Sequence, residues 1–312
     1  MDGGKFMKKK RIFLSISIIL VMFVTILTGC KSNQTSGELT PLGEKKYGDV
    51  KGCIWEIKND KATVYLFGSI HIAQKDMYPF EKTVEDAFRS SNNLVVEVDA
   101  NRSADTNKLQ SKMLYSKNDD VYNHISKEGK EKLDTFAKEL GMDMNNLKKM
   151  KLWVIESTIM QAQLKKSGYS SEAGVDSYFL NEAQNRKKIL ELESVDFQLD
   201  MLNSFTDEQQ EKLFFSDIKY LSESDDNFKK LYDAYKAGDE NALINLNVDS
   251  NKQDPEIYQK MIVDRNIGMA NKIDGYLKTN DSYFVVAGLG HFIGDDSVVK
   301  LLEKKGYTVT KK

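Results

Sequence analysis

The sequence predicts an α/β fold: a small mixed sheet with helices packed around it and a mainly helical insertion between about Asn101 and Ser170. Three observations predict it. Short β-favouring runs (CIWEI, ATVYLF, LVVEVD, KKILEL, YFVVAG and a final YTVT) are separated by longer stretches in which apolar residues recur at helical spacing. No repeat of solenoid period is present, and only three prolines interrupt the 312 residues. Two of the runs also end alike, since ATVYLFGSIHIA and SYFVVAGLGHFIG each stop at a glycine, with two residues and then a histidine after it.

Residues 1–29 stand apart from the fold. MDGGKFMKKKRIFLSISIILVMFVTILTGCKS joins a basic segment, an apolar run of about sixteen residues and a small-residue site, the pattern of a secretory leader. That run is short for a spanning helix, which needs about 20 apolar residues. LTGC, Leu27 to Cys30, resembles the lipobox of bacterial lipoproteins. Cys30 is therefore the expected lipidation site, and the membrane an expected partner through that lipid. An uncleaved signal anchor is the other reading; both put the domain outside the cytoplasm. SNQTSGELTPLGEKK then makes residues 30–50 a flexible tether, and the folded domain is expected over residues 51–312.

Within the domain, CIWEI and ATVYLF flank a turn-forming Asn59-Asp60 pair, which predicts a hairpin at the edge. PFEKTVEDAFRSS predicts a helix and LVVEVD, Leu94 to Asp99, the next strand. SKEGKEKLDTFAKELG, with Ser126 as its N-cap, and KLWVIESTIMQAQLKK supply helices to the insertion. KKILEL, Lys187 to Leu192, predicts a strand, followed by helices over TDEQQEKLFFSDIKYL, capped by Thr206, and PEIYQKMIVDRNIGMANKIDGYL. YFVVAG, Tyr283 to Gly288, and YTVT complete the set of strands.

Charge and cysteine usage remove several function classes. Without residues 1–29 five Lys/Arg and one Asp are gone, so 40 basic residues face 46 acidic ones and the net charge is −6. No cationic footprint for nucleic acid remains. Cys53 is left without an intrachain partner, which excludes a disulfide framework and a Cys-rich zinc site.

The two glycine-ended runs carry two of the three histidines, His71 and His291. In open α/β sheets ligands sit beyond the carboxyl ends of the strands, so two such strands running the same way bring both imidazoles to one edge. Gly68 and Gly288 allow a sharp turn or a close approach there. His124, in DDVYNHISKEG, lacks this setting and reads as a surface residue before a helix. Glu97 alternates with valines near the end of LVVEVD. It is either a buried acid that needs a metal or a histidine, or part of a wet edge. Glu193 stands just past KKILEL and is favoured over Glu191, which reads as solvated or ion-paired. Arg265 shares its helical face with Met261 and Met269. Its guanidinium either snorkels to water or meets a buried anion. Asp176, on a face with Phe179, Leu180 and Ala183, is a site residue or simply a first-turn acid.

With these residues in view, the chain resembles the TraB/GumN family, whose eukaryotic relatives include the Tiki proteins. The resemblance runs from about Cys53 to the C-terminus through LFGSIH, LVVEVD, GVDSYFL, LELESVDFQL, DRN and VVAGLGHFIGDDSVVKLLEKKGYTV. It implies a metal-dependent hydrolase fold related in outline to erythromycin-esterase-like and ChaN-like proteins, and, for Tiki-like members, a metalloprotease acting on secreted peptides or proteins. It carries over to His71, Glu97, Asp176, Glu193, Arg265 and His291. His71, His291 and Glu97 are the expected ligands of a divalent Mn, Fe, Co or Zn ion that activates water. Glu193 is expected to take the water's proton or complete the coordination, Arg265 to hold a developing oxyanion or a substrate carboxylate, and Asp176 to orient an imidazole or pair with Arg265. Ligand and base assignments are interchangeable at this level. The alternative is a non-catalytic lipid-anchored protein binding a peptide, haem or metal in the same cleft. A third reading has the insertion grip a partner through MKLWVIESTIMQAQL.

Overall fold

Six strands form one mixed sheet in the computed structural model, which describes residues 42–44, 46–99, 106–223, 225–251 and 254–312. The expected leader, Cys30, most of the tether and residues 100–105 lie outside the described residues. The strands are β1 (Cys53–Lys58), β2 (Thr63–Ser69), β3 (Asn93–Val96), β4 (Lys188–Glu191), β5 (Ser282–Gly288) and β6 (Val309–Lys311), in the spatial order β4-β3-β5-β2-β1-β6. β4, β3, β5 and β2 are parallel neighbours, while β1 is antiparallel to both β2 and β6.

The parallel four follow from what lies between them in the chain. Parallel neighbours need a crossover, and each gap is filled by helices. Helix α1 (Lys82–Ser90) joins β2 to β3. α2 (Thr106–Met113), α3 (Lys127–Glu139), α4 (Leu152–Lys166) and α5 (Val175–Ala183) separate β3 from β4. Between β4 and β5 run α6 (Val195–Asn203), α7 (Asp207–Glu223), α8 (Asp225–Ala237), α9 (Glu240–Asn251) and α10 (Asp264–Tyr276). α11 (Val298–Lys304) precedes β6. With helices on the faces, β3 and nearly all of β5 are buried along their length, as their unbroken valine, leucine and phenylalanine runs require.

The hairpin predicted around Asn59 is present. The Asn59 side chain accepts hydrogen bonds from the Lys61 and Ala62 N–H groups at 2.9 and 2.8 Å, which closes the turn. It does not form the sheet edge, because β5 covers β2 and β6 covers β1. Both predicted caps are made. Ser126 accepts from the Gly129 N–H at 3.0 Å, and Thr206 accepts from Gln209 at 3.2 Å while the Gln209 side chain accepts in return from the Thr206 N–H at 3.1 Å.

Helices dominate the insertion as expected, but it is not a self-standing unit. Leu109, Met113, Trp153 and Val154 pack with Leu199, Leu202, Phe205, Ile257 and Met261 from the second helical block, and Leu133, Ile155 and Ile159 pack with Phe214. α4, the stretch read as a possible partner-gripping surface, buries Leu152, Trp153, Val154, Ile155, Ile159, Met160 and Leu164, so it is core.

α5 rests on the sheet through an aromatic cluster. Phe179 is fully buried, with ring centroids of Phe67, Phe80, Phe88 and Phe284 at 5.5, 5.6, 5.0 and 4.9 Å. Phe179→Ala should lower the unfolding free energy by about 3–5 kcal/mol in urea titrations, because four rings cannot collapse into the space together. A loss under about 1 kcal/mol, the range of a substitution that leaves no cavity, would mean that α5 is not anchored this way.

Candidate functional site

Each of the four parallel strands ends in a predicted site residue. His71 follows β2, Glu97 follows β3, Glu193 follows β4 and His291 follows β5. Ser69 at the end of β2 stands opposite Gly288 at the end of β5, so the two glycine-ended runs are neighbours in register. The β3–β4 pairing runs on past the strands: Leu192 N–H donates to the Val96 carbonyl at 2.7 Å and Glu193 N–H to the Glu97 carbonyl at 2.8 Å. The side chain of Glu97 therefore leaves the backbone one residue beyond the β3 strand and next to Glu193.

The imidazoles are held from behind by different groups. His71 Nδ1 is 2.6 Å from the Asp176 carboxylate, which also accepts from Ser69 Oγ at 3.0 Å. His291 Nδ1 is 2.6 Å from the Asn266 Oδ1. Because a carboxylate and an amide oxygen only accept, each imidazole carries a proton on Nδ1 and, when neutral, presents a lone pair at Nε2. Both Nε2 atoms are buried without a hydrogen-bond partner. The two rings meet at Gly288 and Glu97: an added Cβ at 288 would sit 3.2 Å from His71 Nε2, 3.2 Å from Glu97 Oε1 and 3.7 Å from His291 Cδ2, and His291 Nε2 is 3.8 Å from Glu97 Oε1. A side chain at 288 would fill the space between them.

Glu97 and Glu193 share one cation. Arg265, 1% exposed, donates from Nη2 to Glu97 at 2.8 Å and to Glu193 at 2.8 Å, and from Nε to both Glu193 oxygens at 2.9 and 3.1 Å. Gln198 Nε2 donates to Glu193 at 2.7 Å and Glu97 at 3.2 Å, and the Gly288 N–H donates to Glu97 Oε1 at 2.5 Å. Arg265, expected to hold an oxyanion, thus has Nε and Nη2 committed to the two carboxylates and acts as the tie between β3, β4 and α10.

The charges follow from these contacts. Burial pushes the Glu97 carboxyl up, but Arg265, the histidines and the Gly288 N–H outweigh it and hold it at about 2. Burial pushes His71 down, yet the charge of Asp176 and the bond to it leave His71 raised. His291 has no carboxylate behind it, and burial with the Arg265 charge pushes it down to about 3. His291 is therefore neutral near pH 7, and its 3.8 Å approach to Glu97 Oε1 is not an ion pair.

Two of the three expected ligands, His71 and His291, have unpartnered Nε2 atoms. The third, Glu97, is already hydrogen-bonded to Arg265, Gln198 and the Gly288 N–H, and among the described residues no group of three or more His, Cys, Asp or Glu side chains is arranged to hold a metal ion. Asp176 has the imidazole-orienting place expected of it. Glu191 accepts from the Asp99 N–H at 2.9 Å, apart from the site. His124 is likewise elsewhere, stacked on Tyr115 and bonded to Asp119 and Asp207.

The model of the TraB/PrgY/gumN family matches residues 53–311, which includes the whole of this constellation. The chain belongs to that family. Relatives are distant, and the matches cover nearly all of this chain. An uncharacterized protein of Treponema pallidum (strain Nichols) is 23% identical, with 93% of this chain and 91% of the relative covered. Metalloprotease TIKI1 of Xenopus tropicalis is 23% identical over 94% of this chain and 68% of its own length, and Metalloprotease TIKI2 of the same organism 24% identical over 98% and 68%. No solved structure matches.

Four site residues escaped the sequence reading although they stand inside the family stretches: Ser69 in LFGSIH, Gln198 in LELESVDFQL, Asn266 in DRN and, as a hydrogen-bond donor, Gly288. Position offered a signal for two of them, since Asn266 adjoins Arg265 and Ser69 stands two residues before His71.

Acid should destabilise the TraB-family domain in two steps. His291 has an ordinary value of 6.5 and about 3 in the fold, so below pH 6.5 the unfolded chain binds a proton that the folded one refuses. Its contribution is complete above pH 6.5 and is lost as the pH falls toward 3. Glu97, 4.5 ordinarily and about 2 here, adds a second loss below 4.5. The raised His71 acts oppositely, and its contribution is complete below 6.5. Urea titrations across pH should therefore show stability falling between pH 6.5 and 4.5, and His291→Gln should flatten that part of the curve. An unchanged slope in His291→Gln would refute the buried neutral imidazole.

Proposed function

We propose that this protein is an extracytoplasmic, lipid-anchored metal-dependent hydrolase that cleaves peptides or proteins. One observation carries the reading: two buried imidazoles, each fixed at Nδ1 by an acceptor, flank the same glycine and Glu97 with their Nε2 atoms unpartnered. Leaving a buried acceptor unpaired costs about 1–3 kcal/mol, and two convergent ones in a dry site suit a cation. The arrangement matches the general pattern of metal-binding histidines, in which the second ring nitrogen donates to a carboxylate or carbonyl oxygen.

His71 and His291 would hold the ion through Nε2, and Glu97 would contribute a carboxylate oxygen or its negative charge. When bound, a divalent cation supplies Lewis acidity toward a carbonyl group and toward water. The chain's own groups do the rest. Asp176 and Asn266 keep both lone pairs facing inward. Arg265 keeps Glu97 ionised and holds Glu193 beside it. Glu193, just past β4 and held by Arg265 and Gln198, is the carboxylate that exchanges a proton with water at the site. The peptide or protein substrate is supported by the names of the TIKI relatives, metalloproteases both.

The full chain, stripped with chelator and reloaded in turn with Mn²⁺, Fe²⁺, Co²⁺ or Zn²⁺, should bind the ion stoichiometrically and cleave members of a mixed peptide library. His71→Ala and His291→Ala should lose uptake and cleavage together. Stoichiometric uptake in the double variant would sink the site, and uptake by the native chain without cleavage of any peptide would replace the hydrolase with a binding protein.

Attachment to the membrane rests on LTGC, Leu27 to Cys30. Cys30→Ala should move the protein from the membrane fraction to the soluble one; retention in the membrane would mean that a lipid on Cys30 is not the anchor.

A further inference from the structure

The amide behind His291 cannot turn over. Asn266 is fully buried, its Nδ2 donates to the Asp296 backbone carbonyl at 2.7 Å, and its Oδ1 is left to accept from His291 Nδ1 at 2.6 Å. A flipped amide would set its oxygen against the Asp296 carbonyl oxygen, two acceptors face to face. Asp296 is itself held from a second point, since Tyr258 Oη donates to its carboxylate at 3.0 Å.

Tyr258 and Asn266 are eight positions apart, and the helical segment between them is not regular. Gln259–Val263 forms a π turn, with the Asp264 N–H bonded to the Gln259 carbonyl, between the one-turn helix Pro255–Tyr258 and α10. In an unbroken α-helix each residue advances by about 100°, so positions eight apart face directions about 80° away from each other. A π turn closes one residue later than an α turn, which takes up the extra residue and brings the two side chains to within roughly 20° of one line. Both then reach Asp296, in the loop that follows His291.

We propose that Asn266 is a positioning residue of this site, and that the π turn at Gln259–Val263 is the register device that aligns it with Tyr258 on Asp296. Through this clamp the chain holds His291 in the Nδ1–H tautomer, so that its Nε2 lone pair stays on the side of Glu97. The use of the lone pair rests on the proposed role of His291 as a metal ligand; the tautomer does not, and is measured without metal.

Three histidines in the whole chain make the measurement direct. Two-bond proton–nitrogen correlation spectra of the full chain, labelled with ¹⁵N-histidine and free of metal at pH 7.5, should give three imidazoles, assigned by His71→Gln and His124→Asn. His291 should show a protonated Nδ1 and a bare Nε2. Asn266→Ala should admit the Nε2–H form and weaken Zn²⁺ binding by about 10–100-fold in calorimetry, the usual effect of removing such a partner. Deleting Gln259 should return the segment to α-helix, turn Asn266 away and admit the Nε2–H form with the other two imidazoles unmoved.

A native His291 protonated on Nε2 would overturn the proposal even if no variant folded. So would an Asn266→Ala protein with unchanged His71 and His124 signals and an unchanged His291 tautomer, and a deletion variant that keeps the Nδ1–H form would overturn the role of the π turn. If the tautomers behave as stated while His71→Ala and His291→Ala still take up metal, the ligand reading fails and the clamp stands.

Discussion

The buried guanidinium of Arg265 is the constraint on which the site depends. It stands on α10 and meets carboxylates from the ends of β3 and β4, so a single side chain ties the helix to the C-terminal edge of the sheet. Such a triad contributes little net stability, since taking charges out of water costs several kcal/mol each and apolar groups of similar shape often pack as well. Its consequence is positional and electrostatic. Glu97 stays ionised at a fixed place beside two imidazoles, and the positive charge of Arg265 helps keep His291 neutral. Removing Arg265 would leave two buried carboxylates without a cation, whereas removing either carboxylate would leave Arg265 in a one-to-one pair.

Parallel pairing supplies the frame for that edge. Ser69 opposite Gly288, and Val96 opposite both Glu191 and Val286, set where β2, β3, β4 and β5 stop. A slip of one residue in β5 would turn its side chains to the opposite face and carry Gly288 away from Glu97 Oε1. Gly68 has a matching part: a Cβ there would come within 2.5 Å of Leu289 Cδ1, so β2 and the turn bearing His291 approach more closely than any other residue would permit. Both glycines expected to serve sharp turns or close approach serve the second purpose.

Much of this was legible in the sequence because charge and periodicity carry it. His71 and His291 announced themselves by their shared setting, and Glu193 was preferable to Glu191 because it lies beyond the strand. The α/β pattern and the hairpin followed from alternating runs and the Asn59 turn. What was not legible depends on phase and on contacts between remote segments. Asn266 and Gln198 are neutral amides with no charge to flag them, and the π turn shifts the face on which residues after 263 fall. Arg265 could be recognised as a buried cation in need of an anion, but not that two carboxylates would occupy it. Nothing local reveals that Trp153 of the insertion packs in one cluster with Leu199, or Ile155 with Phe214.

The two histidines are alike in motif and unlike in backing. Asp176 brings a full negative charge to His71, whereas Asn266 brings only a dipole to His291. An imidazole backed by a carboxylate is the more basic donor, and one backed by an amide stays a weak base in a buried site. With Arg265 already balancing part of the charge on Glu97 and Glu193, a second carboxylate behind His291 would add negative charge to a pocket that cannot be solvated. A neutral partner there meets the need for orientation without that burden. The asymmetry is what a site must show if both lone pairs are to be held inward while buried charge is kept low.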